Sequence, residues 1–359
     1  MGDENKILTV QNLTVDYTTF RGNVHAVRGV SFEVNRGETL ALVGESGCGK
    51  SASVKPIIGE DASNQVIKGG KIIYRWQHQG KLEEIDLLKI TAKEMQRKIK
   101  GRQIAMVFQD PMTSLDPTMR IGKQIGEAVA SAHSKLSKKK IDERVRNLIA
   151  TVGINRVETV AKQYPHQLSG GMRQRIVIAI ALAGDPQLLI CDEPTTALDV
   201  TIQARILDII KKIQKERHLS VIFITHNLGV VATIADKVNV MYAGKVIEKG
   251  TIEDIFFEPK HPYTWGLLES VPDVDAPQEA LPMIAGTIPD MTQRIIGDAF
   301  APRNEYALDI DFVKEPPMFE VSKTHQAATW LLDKRAPTVQ MPRSLQKRIN
   351  RMQGENNGK

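Results

Sequence analysis

Eight residues constrain this chain more than any others: Gly44, Glu45, Ser46, Gly47, Cys48, Gly49, Lys50 and Ser51, in direct succession. They follow the apolar run Glu38 to Val43 (ETLALV), which reads as a short buried strand, and they precede a predicted helix. Strand, then GxxxxGK with Ser or Thr, then helix is the context of a phosphate-binding loop. The glycines let the backbone turn tightly, so that successive N–H groups face one phosphate. The helix start behind the loop adds a positive dipole end. Lys50 supplies a point charge for the outer phosphates, and Ser51 a hydroxyl for a magnesium ion. Gly44 through Ser51, with Ala52 behind them, are the candidate nucleotide contacts. Cys48 fills a free position of the pattern and is given no chemistry.

A loop of this kind sits on an α/β scaffold, and the rest of the chain is patterned for one. Ile7 to Tyr17 and Val30 to Val34 have strand texture, which predicts an N-terminal antiparallel β subdomain. Gln103 to Phe108, Gln187 to Cys191 and Ser220 to Thr225 are short apolar runs like that before Gly44. Helical stretches follow most of them. Ile202, Ile206, Ile209, Ile210 and Ile213 mark one face of a helix between Asp199 and His218. Such alternation predicts a mostly parallel sheet with helices on both faces. From Asp110 to about residue 170 the texture is helical, punctuated by Pro111, Pro117 and Pro165, and reads as an inserted helical subdomain of a core spanning 6–258. Pro259, Pro262, Pro272, Pro277, Pro282 and Pro289 then break up a small, loop-rich appendage, 259–335. The segment 336–359 is polar and basic and is expected to be a mobile tail.

Leu188-Leu189-Ile190-Cys191-Asp192-Glu193 is an apolar strand ending in two acids. A carboxylate there stands at the ligand edge of a parallel sheet. Asp192 suits a magnesium ion, directly or through water. Glu193 would point at the terminal phosphate and polarise an attacking water. The competing reading is an acid pair that caps the next helix.

Composition excludes several classes. With 42% hydrophobic and 25% charged residues the chain can bury an ordinary core. Two cysteines, Cys48 and Cys191, make neither a disulfide framework nor a four-thiolate metal site, and the chain reads as cytosolic. The start, MGDENKILTV, lacks the apolar core of a signal peptide, and Lys6 breaks the acylation pattern after Gly2. No apolar run approaches the roughly 18 residues needed to cross a bilayer. Ile176 to Ala183, the richest, is short and flanked by Arg175 and Asp185. Any membrane role must therefore run through partner chains. The net charge of +6 fits an anionic surface or a phosphorylated ligand. Lys135 to Lys140 and the residues beyond Arg343 are adequately explained as solvated helix faces, so no nucleic-acid partner is expected.

Leu168-Ser169-Gly170-Gly171-Met172-Arg173-Gln174-Arg175 lies just before Asp192-Glu193 and opens an apolar helix. It resembles the LSGGQ signature of ABC ATPases. The resemblance implies a P-loop NTPase core and a nucleotide shared by two chains. Ser169, Gly170 and Gly171 would bind the γ-phosphate of ATP held by a partner subunit. Further motifs stand in the family's order. Gln109, after Ala105-Met106-Val107-Phe108, looks like the Q-loop glutamine that contacts magnesium and senses the membrane subunit. Thr196-Ala197-Leu198-Asp199 is similar to the D-loop, which places Asp199 at the dimer interface. His226 looks like the switch histidine on the γ-phosphate. Tyr17 looks like the aromatic that stacks on adenine, with Phe20 its nearest rival.

The likeness narrows further. Phe108-Gln109-Asp110-Pro111-Met112-Thr113-Ser114-Leu115-Asp116-Pro117 resembles the Q-loop of dipeptide and oligopeptide importer ATPases. His261-Pro262-Tyr263-Thr264, with Gly266-Leu267-Leu268 and Val271-Pro272, is similar to that family's C-terminal appendage. Met172 after Ser169-Gly170-Gly171 resembles the D-type subunit, which implies a heterodimer with a second ATPase subunit. That pair would dock on two transmembrane permease subunits at the cytoplasmic face of the membrane, served indirectly by an extracytoplasmic peptide-binding protein. ATP and Mg²⁺ are the implied ligands, with Ser51, Gln109 and Asp192 around the metal. Many relatives carry cysteines after the proline-rich segment, some holding an iron–sulfur cluster. Asp298, Asn304 and Asp311 stand there instead, so no iron–sulfur cluster is expected, and the variant resembles Gram-positive oligopeptide permeases. Asn227 replaces the Asp that usually follows the switch histidine. Two alternatives stay open: an importer of another cargo (dipeptide, nickel, glutathione or antimicrobial peptide), and a soluble ABC ATPase of translation or DNA repair.

Overall fold

Two sheets carry the molecule, and the short apolar runs of the sequence build the larger one. The computed structural model describes residues 5–78, 81–196, 198–271 and 284–357. Ala197, Pro272, Pro277 and Pro282 lie outside them. The strands in chain order are β1 (Lys6–Thr19), β2 (Gly22–Asn35), β3 (Thr39–Val43), β4 (Gln65–His78), β5 (Lys81–Asp86), β6 (Ile104–Val107), β7 (Leu188–Asp192), β8 (Ser220–Thr225), β9 (Lys237–Tyr242), β10 (Lys245–Thr251), β11 (Phe319–Glu320) and β12 (Gln326–Ala327). The first sheet is antiparallel, in the order β2-β1-β4-β5. The second runs β11-β12-β10-β9-β3-β8-β7-β6 and is parallel from β9 to β6. Every residue of β3, β7 and β8 is buried, which is why these strands read as continuous apolar runs rather than alternating ones.

Helices Ile121–Ala132, Lys138–Thr151 and Val157–Lys162 form the inserted helical region between β6 and the helix Gly170–Ala181. The isoleucine stripe forms the helix Val200–Arg217, with Asp199 capping its start and His218 ending it in a left-handed conformation at φ 50°. Ile206, Ile210 and Ile213 are buried, while Ile202 and Ile209 are partly buried against the same cluster.

Apolar packing falls into three clusters. One joins the helical region to β6, β7 and β8. A second lies between the antiparallel sheet and the parallel one. The third binds the C-terminal appendage to the core: Tyr263, Trp265, Leu268 and Phe300 pack with Ala41 and Val43 of β3 and Val240 and Tyr242 of β9. Among the described residues, the apolar side chains of the appendage therefore pack into the core rather than into a cluster of their own. Its polar centre is Glu248, fully buried, which accepts hydrogen bonds from the Lys260 and His261 amides and lies 2.8 Å from His325 Nε2.

Part of the segment 336–359, expected as a mobile tail, is folded against the core. Arg343–Asn357 is a helix that lays Leu345 and Ile349, 1% and 0% exposed, into the third cluster. Arg348 fastens it by donating to the carbonyls of Leu268 (3.0 Å) and Val271 (2.8 Å). Leu345 and Ile349, one turn apart, with Met352 packed partly buried against the same cluster, dock a helix whose other faces are polar or charged.

Candidate functional site

The phosphate loop leaves β3 at Val43 and is pinched between β2 and β9. Gly44 has φ 154°, and a Cβ on it would lie 2.2 Å from the Met241 carbonyl oxygen. Gly49 has φ 101°, and its Cβ would lie 2.4 Å from the Ala26 oxygen. Neither position admits a side chain, so these two glycines are required by backbone contact as well as by turn geometry. The Gly244 amide donates to the Cys48 oxygen (2.9 Å), which ties the loop to the β9–β10 turn. Lys50 is 5% exposed, and its Nζ donates to the carbonyls of Gly44 (2.8 Å) and Glu45 (2.9 Å). Burial pushes the Cys48 thiol up, against the pull of Lys50, which suits a packed filler rather than a thiolate.

Asp192, the last residue of β7, comes to the same place from another strand. Ser51 Oγ donates to its Oδ1 at 2.8 Å. Burial, with Glu193 alongside, raises its pKa against the opposing pull of Ser51, Lys55 and Lys50. A hydroxyl and a half-desolvated carboxylate in contact are a hard-oxygen pair that fits Mg²⁺, whose charge would offset that desolvation.

Glu193 does not cap a helix. It adopts a left-handed backbone at φ 47°, unusual for a non-glycine residue, while its amide donates to the Ile224 oxygen at 3.0 Å. Its carboxylate becomes a meeting point. Thr196 Oγ1 donates to Oε2 at 2.9 Å, and Gln109 Nε2 and His226 Nδ1 each stand 3.4 Å from the same oxygen. Lys50 Nζ lies 4.0 Å from Oε1. Residues from four separate loops thus converge on one carboxylate. Strain at such a position is characteristic of groups held for reaction rather than for packing.

Tyr17 is half-buried near the end of β1, opposite Val24, and donates to Gln65 Oε1 at 3.0 Å. Burial, then Asp61, raises its pKa, so it stays a neutral phenol. Phe20, its rival, sits at the hairpin tip and is 94% exposed. Ser169 caps the helix Gly170–Ala181, its hydroxyl accepting from the Met172 amide at 3.4 Å. Gly170 faces Leu198, and Gly171 is so close to the next helix that a Cβ would stand 2.5 Å from Ile202 Cγ2. Asp199 Oδ1 accepts from the Ile202 amide at 2.9 Å. Ser169, Gly170, Gly171 and Asp199 therefore form one packed corner in this chain.

Several contacts escaped sequence reasoning. Thr196 was legible only as part of a loop, although its hydroxyl holds Glu193. The Glu45 side chain turns to the appendage, where Arg303 grips it with both nitrogens, and the Glu45 amide donates to the Tyr263 hydroxyl at 2.8 Å. Arg303 carries no local signal. Asp298, Asn304 and Asp311 spend their side-chain oxygens on nearby amides, those of Phe300 (3.0 Å), Tyr306 (3.0 Å) and Leu308 (2.7 Å). No helix of the described residues is long and apolar enough to cross a membrane.

Residues 27–196 match the family described as ABC transporter, and residues 247–310 match the oligopeptide/dipeptide transporter, C-terminal region. Over 336 residues the chain is 54% identical to the dipeptide transport ATP-binding protein of Lactococcus lactis, with 94% of each chain covered. It is 50% identical over 349 residues to the oligopeptide transport ATP-binding protein of Bacillus subtilis, covering 97% of this chain and 95% of that one. Among solved structures it resembles cbiO1 of Clostridium perfringens, part of the ABC transporter complex cbiONQ, with a TM-score of 0.57, 29% identity and coverage of 71% and 92%.

Proposed function

This chain belongs to the family of ABC transporter ATP-binding subunits that carry the oligopeptide/dipeptide C-terminal region, and on that premise we propose that it hydrolyses ATP to drive import of oligopeptides. The triphosphate lies along Gly44 to Ser51, with Lys50 on the outer phosphates and Tyr17 stacked on adenine. Ser51 and Asp192, near Gln109, would hold Mg²⁺, which would supply positive charge to offset that of the phosphates. Glu193 accepts a hydrogen bond from the attacking water and directs it, while His226 donates to the γ-phosphate. Thr196 and Gln109 keep the Glu193 carboxylate aimed as the site closes.

Closure requires a second ATPase subunit, which we take to be a different chain. Its signature loop covers this chain's ATP, and Ser169, Gly170, Gly171 and Asp199 cover the partner's. The pair lies peripherally on the cytoplasmic face and pulls two permease subunits through the surface around Gln109. An extracytoplasmic binding protein delivers the peptide. The region at 247–310 supports oligopeptide or dipeptide cargo over nickel and over a soluble ATPase of translation or DNA repair.

The observation that carries the enzymatic reading is the convergence of Lys50, Thr196, Gln109 and His226 on the Glu193 carboxylate. In the assembled transporter, Glu193→Gln keeps ATP binding and lowers hydrolysis about 10²- to 10⁴-fold, the usual worth of a positioned base. Undiminished turnover by that variant refutes the assignment.

A further inference from the structure

The phosphate loop contains an acid, Glu45, in a place that must accept a polyanion. Its carboxylate is matched by Arg303, which comes from the appendage 258 residues away. Nη1 donates to Oε2 at 2.7 Å and Nη2 to Oε1 at 3.0 Å, a two-pronged pair. The Arg303 side chain is only 3% exposed, while that of Glu45 is 29% exposed, so the pair is covered on the arginine's side and partly open at the carboxylate. Its other donors are taken as well: Nη1 reaches the Tyr242 hydroxyl (3.2 Å), Nη2 the Ile284 oxygen (3.1 Å) and Nε the Ala285 oxygen (2.8 Å). The guanidinium also lies over the rings of Tyr242 and Phe300, at 5.7 and 5.9 Å. An arginine held on so many sides has one orientation, and Glu45 is held with it.

Glu45 has a second anchor in the appendage. Its amide donates to the hydroxyl of Tyr263, whose ring is fully buried against Tyr242 and Phe300. Its carbonyl, in turn, accepts from Lys50 Nζ. One residue therefore joins the appendage to the lysine that meets the phosphates, by a continuous chain: Arg303 and Tyr263, then Glu45, then Lys50.

We propose that Arg303 and Tyr263 are positioning residues for ATP: the appendage neutralises and orients Glu45, and thereby sets the affinity of the phosphate loop for the triphosphate. The physical basis is twofold. A carboxylate beside a triphosphate repels it unless compensated, and repulsion in a partly desolvated site is strong. A loop fastened in its binding conformation loses less entropy when the ligand arrives. The appendage is on this account part of the nucleotide site, not only an added lobe.

The inference rests on the nucleotide-binding reading, and one set of titrations separates the two. MgATP and adenosine are titrated calorimetrically into the full-length chain and its variants. Wild type that binds no MgATP overturns the nucleotide reading itself. With wild type binding, Arg303→Gln is expected to weaken MgATP roughly tenfold, as an uncompensated, partly exposed carboxylate near the triphosphate does, and to leave adenosine unchanged. Glu45→Gln combined with Arg303→Gln removes the stranded charge and is expected to recover most of the MgATP affinity. Tyr263→Phe keeps the ring and its packing, and is expected to weaken MgATP about threefold through the lost acceptor alone. Wild-type MgATP affinity in Arg303→Gln overturns the proposal. A double variant as weak as the single one overturns it equally, because the loss would then reflect disturbed packing rather than charge.

Discussion

Gly171→Ala adds a single methyl group, and the structure says what that methyl meets. An ideal Cβ on Gly171 stands 2.5 Å from Ile202 Cγ2, whereas ordinary contact begins near 3.4 Å. Cγ2 is bonded directly to the Ile202 Cβ, and a β-branched side chain on a helix is confined largely to one χ1 rotamer, so it cannot swing away cheaply. The helices Gly170–Ala181 and Val200–Arg217 must instead part by about 1 Å, at a cost of roughly 1–3 kcal/mol for an overpacked contact. Ser169 caps the first helix and Asp199 the second, so the same movement shifts both groups proposed to reach the partner's ATP. A displacement of about 1 Å at a catalytic contact is worth roughly 10²-fold in rate. Lys50 and its loop are fastened separately, by β2 and β9, and are not disturbed. The expected result is unchanged MgATP binding by the variant chain and a fall of about 10- to 100-fold in hydrolysis by the assembled transporter. Adding Ile202→Ala vacates the space and restores most of the rate. Full hydrolysis by Gly171→Ala alone refutes the packing argument, as does a double variant no faster than the single one.

Two further outcomes follow from the appendage. Burial, reinforced by Asp311 and Glu315 and opposed by the Phe300 amide and Arg28, pushes the Asp298 pKa up to about 6. A folded-state value above the unfolded one means that the native state holds the extra proton, so stability falls as pH rises from about 4 to about 6 and stays lower above. Asp298→Asn preserves an oxygen for the Phe300 amide and removes that loss: thermal denaturation should show a gain of up to about 3 kcal/mol at pH 7, vanishing near pH 4, whereas equal stability at pH 7 counts against it. Ile349→Ala cuts a fully buried side chain from the C-terminal helix and should cost about 2–4 kcal/mol of unfolding free energy. A tail free in solution would leave the melting curve where it was.

What could be read from the sequence divides along a physical line. Gly44 to Ser51 and Leu188 to Glu193 were legible because each is a local device: a strand whose full burial writes a continuous apolar run, followed at once by the residues the strand end presents. The helix Val200–Arg217 was legible because its stripe and its cap, Asp199, are written in sequence neighbours. The hairpin of β4 and β5 was not, since its strand Lys81–Asp86 is mostly exposed and charged, and its partners, such as Arg75 for Glu84, come only with the strand register. The C-terminal helix was missed for a related reason, its two buried residues being outnumbered by charges that merely face water.

The site repeats that division with sharper consequences. Lys50, Asp192 and Glu193 could be named from their own segments, and Gln109 and His226 through the family resemblance, but the geometry that joins them is set by strand order. In the parallel sheet β3 lies beside β8 and β8 beside β7, so Lys50, His226 and Glu193, which follow these strands, emerge at one edge. The left-handed backbone of Glu193 then turns its carboxylate into reach of Lys50 and His226. Glu45 shows the converse. Its position in the phosphate motif is free to vary, so the pattern counts it as a nucleotide contact by place alone and gives its side chain no role, and Arg303 lies too far along the chain to suggest a pairing. The charge is tolerated beside a triphosphate because the fold returns an arginine to it. A residue that a motif leaves free is therefore the one most open to being claimed by a family-specific domain, and Arg303 and Tyr263 both lie in the appendage that distinguishes this chain from a bare ATPase cassette.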